Sequence, residues 1–545
     1  MSIYPTRTAA HLAIAGVLVF AAGIALRQSV VVAWGGAILV AVALARTVTL
    51  VSVMRIRSAG FEMLWTGVER VKRVRPGEVV TLAAEVRNRD TLAARYDKLR
   101  VVASPALETW VEPMAGEVPA TGSVKLAVNV RAKRVGHHGI YGLALEVRGA
   151  PGLFEVPLTF ANPFGIEVRP RALARPLALP QGGRSRTRAM AGRTGRRRGD
   201  GTDLRELRER LPGDAFRRIA WKASARRGKL VVKEFEQEER DIVVLVLDAS
   251  VELWSGAVGE APLDRAIDIA STLAVHHVGR GDRVGLRIVA ARALAAVAPD
   301  GGRAHLARLA EALLTETSVM AADRCGWDAS DLAVQVTEHL RPLDARAVAD
   351  LRANRIDKLV ERAEQVLSHA PFDRPRPRGN SEEDERLRRY AACFGLHVPP
   401  RLEPDRPRTA VALARTLGEV AAKKDRRGRA SVVHVIAPPP DPPADDLVRA
   451  VRKLRSKGVV VRWTSPPVAV PLPEAERATQ PPLFGVVERA VAIRAEVAAA
   501  RGAAVLRRAG VKLVRRPVRR RPPEPAPDPD HATTATVADP GRDVA

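Results

Sequence analysis

Residues whose types and spacing could do chemistry are few in this chain. The stretch LPGDAFRRIAWKASARRGKL, Leu211 to Leu230, gathers Arg217, Arg218, Lys222, Arg226 and Trp221 behind a Pro212-Gly213 turn, yet nothing in it reads as a nucleophile or general base. Asp214 suits the N-cap of a helix over Ala215 to Arg226, on which Phe216, Ile219, Ala220 and Ala223 share one core-facing stripe. Trp221 follows Arg217 by one turn, so a guanidinium can lie over the indole. The helix either packs the two soluble domains together with Trp221 in the core, or presents a basic docking face to an acidic partner. Farther on, Asp248 and Ser250 close an apolar run and suit side-chain capping of the next turn. His137 and His138 are adjacent, hence on opposite faces of any strand, with no third ligand spaced nearby for a shared metal. Cys325 and Cys393 form no C-x-x-C pair. No phosphate loop, H-E-x-x-H or G-x-S-x-G motif is present, and the chain is not expected to be an enzyme.

These residues need elements to hold them. A length of 545 residues suggests three or four structural units at roughly 150 residues each. The net charge of +27 suits either nucleic acid or an anionic membrane surface. Two apolar runs, about 9–26 and 29–45, are separated by Arg27 and Gln28 and read as a transmembrane hairpin within residues 1–58. Gly35 and Gly36 should let its helices approach closely. Arg7 precedes it and Arg46, Arg55, Arg57, Arg70, Lys72 and Arg73 follow, so both flanks are expected on the cytoplasmic side of the cell (inner) membrane, with all later domains in the cytoplasm.

Residues 59–175 alternate in short runs such as VVTLAAEVRN and SVKLAVNVRA between Pro-Gly and Asn-Arg-Asp turns, which predicts a beta-sandwich. The segment 176–240 holds a basic linker, with Arg184, Arg186, Arg188, Arg193, Arg196, Arg197 and Arg198 and no apolar period over Gln181 to Gly201. From 241 to 515 apolar strands alternate with amphipathic helices, from DIVVLVLDAS through LDRAIDIASTLAVHHVG to VKLV, the rhythm of a parallel sheet covered by helices. An insertion at about 320–409 should hold two or three helices and a polar loop, and 516–545, rich in proline, reads as a disordered tail.

Arg196 to Ser250, with its L-R-E-L, P-G-D and I-x-W-K-A-S-A-R elements and a strand ending in L-D-A-S, resembles the bacterial domain of unknown function 58 family. ANPFGIEVRPRAL, Ala161 to Leu173, resembles the end of that family's sandwich. The resemblance implies that the last domain is α/β Rossmann-like, of the von Willebrand factor A type, with a helical insertion. It makes Asp248, Ser250 and Glu252 counterparts of a D-x-S-x-S metal motif, with Glu252 where a second serine is expected, so the resemblance implies Mg2+ at a degenerate site. It further implies a membrane-anchored docking or assembly factor, with a MoxR-type AAA+ ATPase as partner. Gly213, Asp214, Arg217, Arg218, Trp221, Lys222 and Arg226 would be signature and docking positions. The alternative class is nucleic-acid or anionic-lipid binding through the basic linker, though no nucleic-acid-binding fold lies beside that linker.

Overall fold

A computed structural model describes residues 3–148, 151–173, 193–239, 241–254, 256–316, 318–341, 344, 346–369, 376–396, 398–422, 430–466, 481 and 483–514. The expected tail at 516–545 and most of the basic linker, including Arg184, Arg186 and Arg188, lie outside the described residues.

A short strand, β1 (Tyr4–Pro5), leads into α1 (Arg7–Ala25), whose first turn is capped by the Thr6 hydroxyl accepting from the Ala9 N–H. A left-handed Arg27 turns the chain into α2 (Ser29–Gly60). Both helices are long and apolar enough to cross a membrane. A Cβ on Gly23 would sit 2.6 Å from the Val32 nitrogen and one on Gly35 would sit 2.4 Å from the Phe20 nitrogen, so these glycines set the closeness of the pair. Gly36 faces open space and takes no part. The expected span at 29–45 is only the first half of α2, which continues until Val53 and Ile56 enter the core of the next domain.

That domain stacks two sheets, as the alternating runs predict. The strands are β2 (Phe61–Trp65), β3 (Val71–Val74), β4 (Val79–Asn88), β5 (Ala94–Ala103), β6 (Leu107–Glu112), β7 (Gly116–Val118), β8 (Ser123–Ala132), β9 (Gly136–Arg148) and β10 (Phe154–Val168). One sheet runs β1-β10-β9-β5-β7 with β3 parallel to β10; the other runs β2-β4-β8-β6. Val128, Val147, Val156, Ile140 and Leu143 are buried between them. β1 and the Thr6 hydroxyl, which donates to the Leu153 carbonyl, tie the start of α1 to this domain.

The linker departs from its expected irregularity. It ends where β11 (Arg193–Glu209) pairs antiparallel with β12 (Val231–Glu239), forming a two-stranded ribbon. Arg193 stands opposite Glu239 and Arg198 opposite Glu236 in a ladder broken by bulges. Three register shifts interrupt the ladder, so neither strand keeps the regular apolar alternation that would mark it in the sequence.

The last domain is built on β13 (Ile242–Asp248), buried on both faces. Val243, Leu245 and Leu247 feed one core layer and Val244 and Val246 the other, as alternation in a central strand requires. Its other strands are β14 (Arg283–Val289), β15 (Ala293–Asp300), β16 (Val432–Ile436), β17 (Val460–Thr464) and β18 (Lys512–Val514), in the order β15-β14-β13-β16-β17-β18. All are parallel to β13 except β15, which is antiparallel to β14.

The remaining helices are α3 (Trp221–Arg227), which lies between the two ribbon strands, α4 (Pro262–Gly279), α5 (Arg303–Glu316), α6 (Ala329–Leu340), α7 (Arg346–Arg352), α8 (Ile356–Ser368), α9 (Glu382–Cys393), α10 (Arg406–Ala422), α11 (Asp445–Ser456) and α12 (Phe484–Arg508). Thus the insertion holds four helices among the described residues, α6 to α9, rather than two or three. The acid-rich SEEDERLRR starts α9, with the Ser381 hydroxyl as its cap.

The insertion is fixed to the sandwich by an aromatic junction. The Tyr390 hydroxyl donates to that of Tyr141 at 3.2 Å, His339 Nδ1 lies 3.0 Å from the Tyr390 hydroxyl, and Phe394 packs edge-on against Tyr141. Nearby, Trp254 lies between the guanidinium of Arg134 from the sandwich and that of Arg324 from the insertion, at 5.2 and 5.8 Å. Arg134 also donates to Asp264 at the start of α4. His137 and His138 do diverge. His137 faces Glu311 at 3.4 Å, while His138 is buried against the Arg134 carbonyl and the Ser104 hydroxyl, and burial lowers its pKa to about 4.

Candidate functional site

The three residues at the end of β13 stay together and open into a cleft of about 700 Å³ at the carboxyl edge of the sheet. From β13 the chain crosses to β14 on one side and later returns to β16 on the other, so the cleft sits where the strand order reverses, the usual ligand crevice of such sheets. Asp248 Oδ1 accepts from the Ser250 N–H at 2.9 Å, which is the capping role expected of it. Glu252, in a 3-10 turn over Val251–Trp254, turns its Oε1 onto the first amide of α10, the Arg406 N–H, at 2.7 Å. The Arg406 guanidinium reaches across the cleft and donates twice to Asp441, both at 3.1 Å.

Burial pushes the Asp248 carboxyl up to about 6 from the ordinary aspartate value of 3.8, against the lowering effects of its Ser250 hydrogen bonds; Glu252 nearby pushes it further up. Two further oxygens, Glu252 Oε2 and Thr409 Oγ1, are buried with no hydrogen-bond partner among the described residues, and Thr409 is only 3% exposed. Thr409 also lines the cleft, from the first turn of α10. It is the residue that sequence reasoning missed, because 157 positions separate it from Glu252 and no local pattern marks it.

The donors that converge here are all hard oxygens, and the orphaned Glu252 and Thr409 atoms fit a hard divalent cation. Among the described residues, however, no group of three or more His, Cys, Asp or Glu side chains is arranged to hold a metal. A Mg2+ ion at this place would rest on Asp248, Ser250, Glu252 and Thr409, with water completing the shell, and would bind weakly.

The cleft's rim is mixed. Asp445 and Asp446 at the start of α11 add negative charge, while Val411 and Val491 with Pro438, Pro439 and Pro440 add apolar surface.

The signature residues form a separate site at the tip of the β11–β12 ribbon. The expected single helix over Ala215 to Arg226 is instead a 3-10 turn, Phe216–Arg218, followed by α3. Ile219 interrupts it by bridging to Val232, and the Ala220 N–H donates to the Val231 carbonyl. Those backbone bonds, with Ile219, Ala220, Val231 and Val232 buried together, outweigh continuous helix. Gly213 takes a φ of +99° in the turn, as its position requires. Asp214 caps no helix: it accepts from the Leu211 N–H and pairs with Arg208 at 2.8 Å, which holds its carboxyl down at about 2.

The expectation of a core tryptophan fails. Trp221 is 61% exposed and Phe216 65%, with Leu211 exposed beside them. The recorded guanidinium–ring contact is Arg210 over Phe216, not Arg217 over Trp221. Arg217, Lys222 and Arg226 are exposed in the same stretch, and the sandwich is joined to the rest through Arg134 and Tyr141 instead.

Fold and site thus define a multidomain protein in which two apolar N-terminal helices carry antiparallel sheets, succeeded by a mixed sheet with helices and an open cleft. Residues 206–369, from the ribbon into the insertion, match the family described as protein of unknown function DUF58. No curated protein matches the chain. Solved structures with partial likeness include the PapD-like domain 7 of human CEP192, at 15% identity and TM-score 0.16 over 20% of this chain and 85% of that one. The C. elegans MSP family member WR4 is similar at 10% identity and TM-score 0.14, over 20% and 96%, and the E. coli chaperone DraB at 17% and 0.15, over 21% and 58%. Likenesses this slight support no statement about what the chain does.

Proposed function

We propose that this chain is a membrane-anchored docking or assembly factor, held in the cytoplasmic membrane by α1 and α2 with its remaining domains in the cytoplasm. Its mixed-sheet domain acts as a von Willebrand factor A-like binding module. The supporting observation is the cleft over Asp248: it is open, lies at the strand-order reversal, and combines buried acidic oxygens with an apolar rim, a composition suited to a protein segment. Mg2+ at Asp248, Ser250, Glu252 and Thr409 would offer a further coordination position to the bound partner. The partner implied by the family resemblance is a MoxR-type AAA+ ATPase.

The test is direct binding of such a purified ATPase to the full chain in nanodiscs. Binding is expected, with Asp445→Lys combined with Asp446→Lys weakening it at least about tenfold, equivalent to about 1.4 kcal/mol. Absence of binding by the wild-type chain, with and without Mg2+ and nucleotide, would remove this partner.

A further inference from the structure

We infer that the ribbon tip of one chain docks into the Asp248 cleft of a second copy, giving a head-to-tail assembly. The inference rests on reading the cleft as a protein-receiving surface, and it names one occupant.

The tip has the chemistry of an inserting partner. Phe216, Trp221 and Leu211 stand exposed on a small folded unit, and aromatic side chains of this kind anchor interfaces when seated in a pocket. From residue 206 to residue 233 there are nine Lys or Arg and three acids. Two of those acids are already paired, Glu209 with Lys229 and Asp214 with Arg208, so the tip carries a net positive field. Exposed aromatics in a cationic stretch call for an apolar pocket edged by carboxylates.

The cleft supplies that complement on the same chain. Asp445 and Asp446 edge it and Glu252 lies within; Asp441 is paired with Arg406, and Asp446 lies 3.3 Å from Arg449, leaving Asp445 as the exposed carboxylate without a partner ion at this edge among the described residues. Val411 and Val491 are 61% and 57% exposed at its mouth, so apolar surface awaits cover on both sides of the proposed contact. Opposite charge would guide the approach and fix its register, while the aromatic rings would supply most of the affinity.

Position makes the contact intermolecular. β12 runs into the amino end of β13, whereas the cleft opens at the carboxyl end of β13. The seven residues of β13 separate the ribbon's base from the cleft by roughly 23 Å of strand, and the nine residues of β12 place the tip roughly 30 Å along the ribbon from that base. Complementary surfaces at different places on one chain make a heterologous contact, which propagates from copy to copy or closes into a ring.

The experiment measures the protein mass per particle of the full chain in detergent by light scattering, across roughly 1 to 100 µM, the weaker part of the specific range. Wild type should associate with concentration, and raising the salt well above physiological strength should reverse it. A tip variant, Phe216→Ser with Trp221→Ser, and a cleft variant, Asp445→Lys with Asp446→Lys, should each associate at least about tenfold more weakly. All four side chains are exposed, so folding is spared, as circular dichroism would verify. Mixing the two variants should restore one contact and yield a dimer that grows no further, since each mixed pair has one intact tip and one intact cleft.

A wild-type chain that stays single overturns the inference, as does one whose association survives in both variants. A single wild-type chain that binds anionic vesicles through Trp221 overturns it in favour of a lipid-facing tip. If self-association is absent while the ATPase still binds the wild type and not the cleft variant, the docking function stands and only this occupant falls. If neither is seen, both readings fall.

Discussion

Asp248→Asn should make the mixed sheet more stable at neutral pH, although it removes the charge at the centre of the cleft. An aspartate held at about 6 rather than 3.8 binds its proton more tightly in the folded state than in the unfolded chain. The resulting penalty is absent below pH about 4, grows as pH rises through 6, and is complete above that. At pH 7.5 it amounts to about 3 kcal/mol, an upper limit because neighbouring groups relax. Asparagine retains the Oδ1 acceptor for the Ser250 N–H and carries no charge to bury, so most of the penalty should vanish. Because a multidomain chain does not unfold in one step, the suitable assay is hydrogen exchange of the β13 amides, corrected for intrinsic rates. Protection in the variant should exceed wild type by up to about a hundredfold at pH 7.5 and converge with it near pH 4. Mg2+ should raise protection in the wild type alone, narrowing the gap. A variant less protected than wild type at pH 7.5, or a gain of equal size at both pH values, would refute the reasoning.

Two further substitutions probe the parts that hold the cleft in place. Gly35→Leu should separate α1 from α2, because its Cβ alone would meet the Phe20 backbone at 2.4 Å; the cost of such overpacking is about 1–3 kcal/mol, whereas Gly36→Leu meets nothing and should be tolerated. Thermal aggregation of the detergent-purified chains would show a lower midpoint for the first variant only. Arg388→Ala should loosen the insertion by about 3–5 kcal/mol, since Arg388 and Asp384 are both almost fully buried with their charges 2.9 Å apart, and Arg388 also donates to the Met320 and Trp327 carbonyls. Limited proteolysis should then cut within α6 to α9 while sparing the sandwich.

What the sequence made legible was the local part. IVVLVL within DIVVLVLD is a continuous apolar run, VVVRW is apolar but for Arg462, and LDRAIDIASTLAVHHVG repeats at helical spacing, so strands and helices fall close to where their periods place them. The pairings that bring distant residues together left no such mark. Thr409, Arg406 and Asp441 reach the cleft through helix packing and a loop after β16, across more than 150 residues from Glu252. The ribbon escaped for a different reason: register shifts break its ladder, and neither strand alternates like a half-buried strand. Trp221 was misplaced because helical spacing over Ala215 to Arg226 looked uninterrupted, whereas the bridge from Ile219 to Val232 depends on a strand a dozen residues later. Local propensity lost there to backbone pairing.

α2 has a mechanical consequence. Its 32 residues form one unbroken helix of about 48 Å, longer than the roughly 30 Å of a bilayer core, and its far end is gripped by the sandwich through Val53 and Ile56. No loose linker intervenes, so the domains that follow inherit their azimuth from α2 as a key inherits the turn of its shaft. Each residue added between Thr47 and Val53 would swing the sandwich by about 100° about the helix axis. The direction in which the cleft faces is therefore set by the rotation of α2 about its own axis.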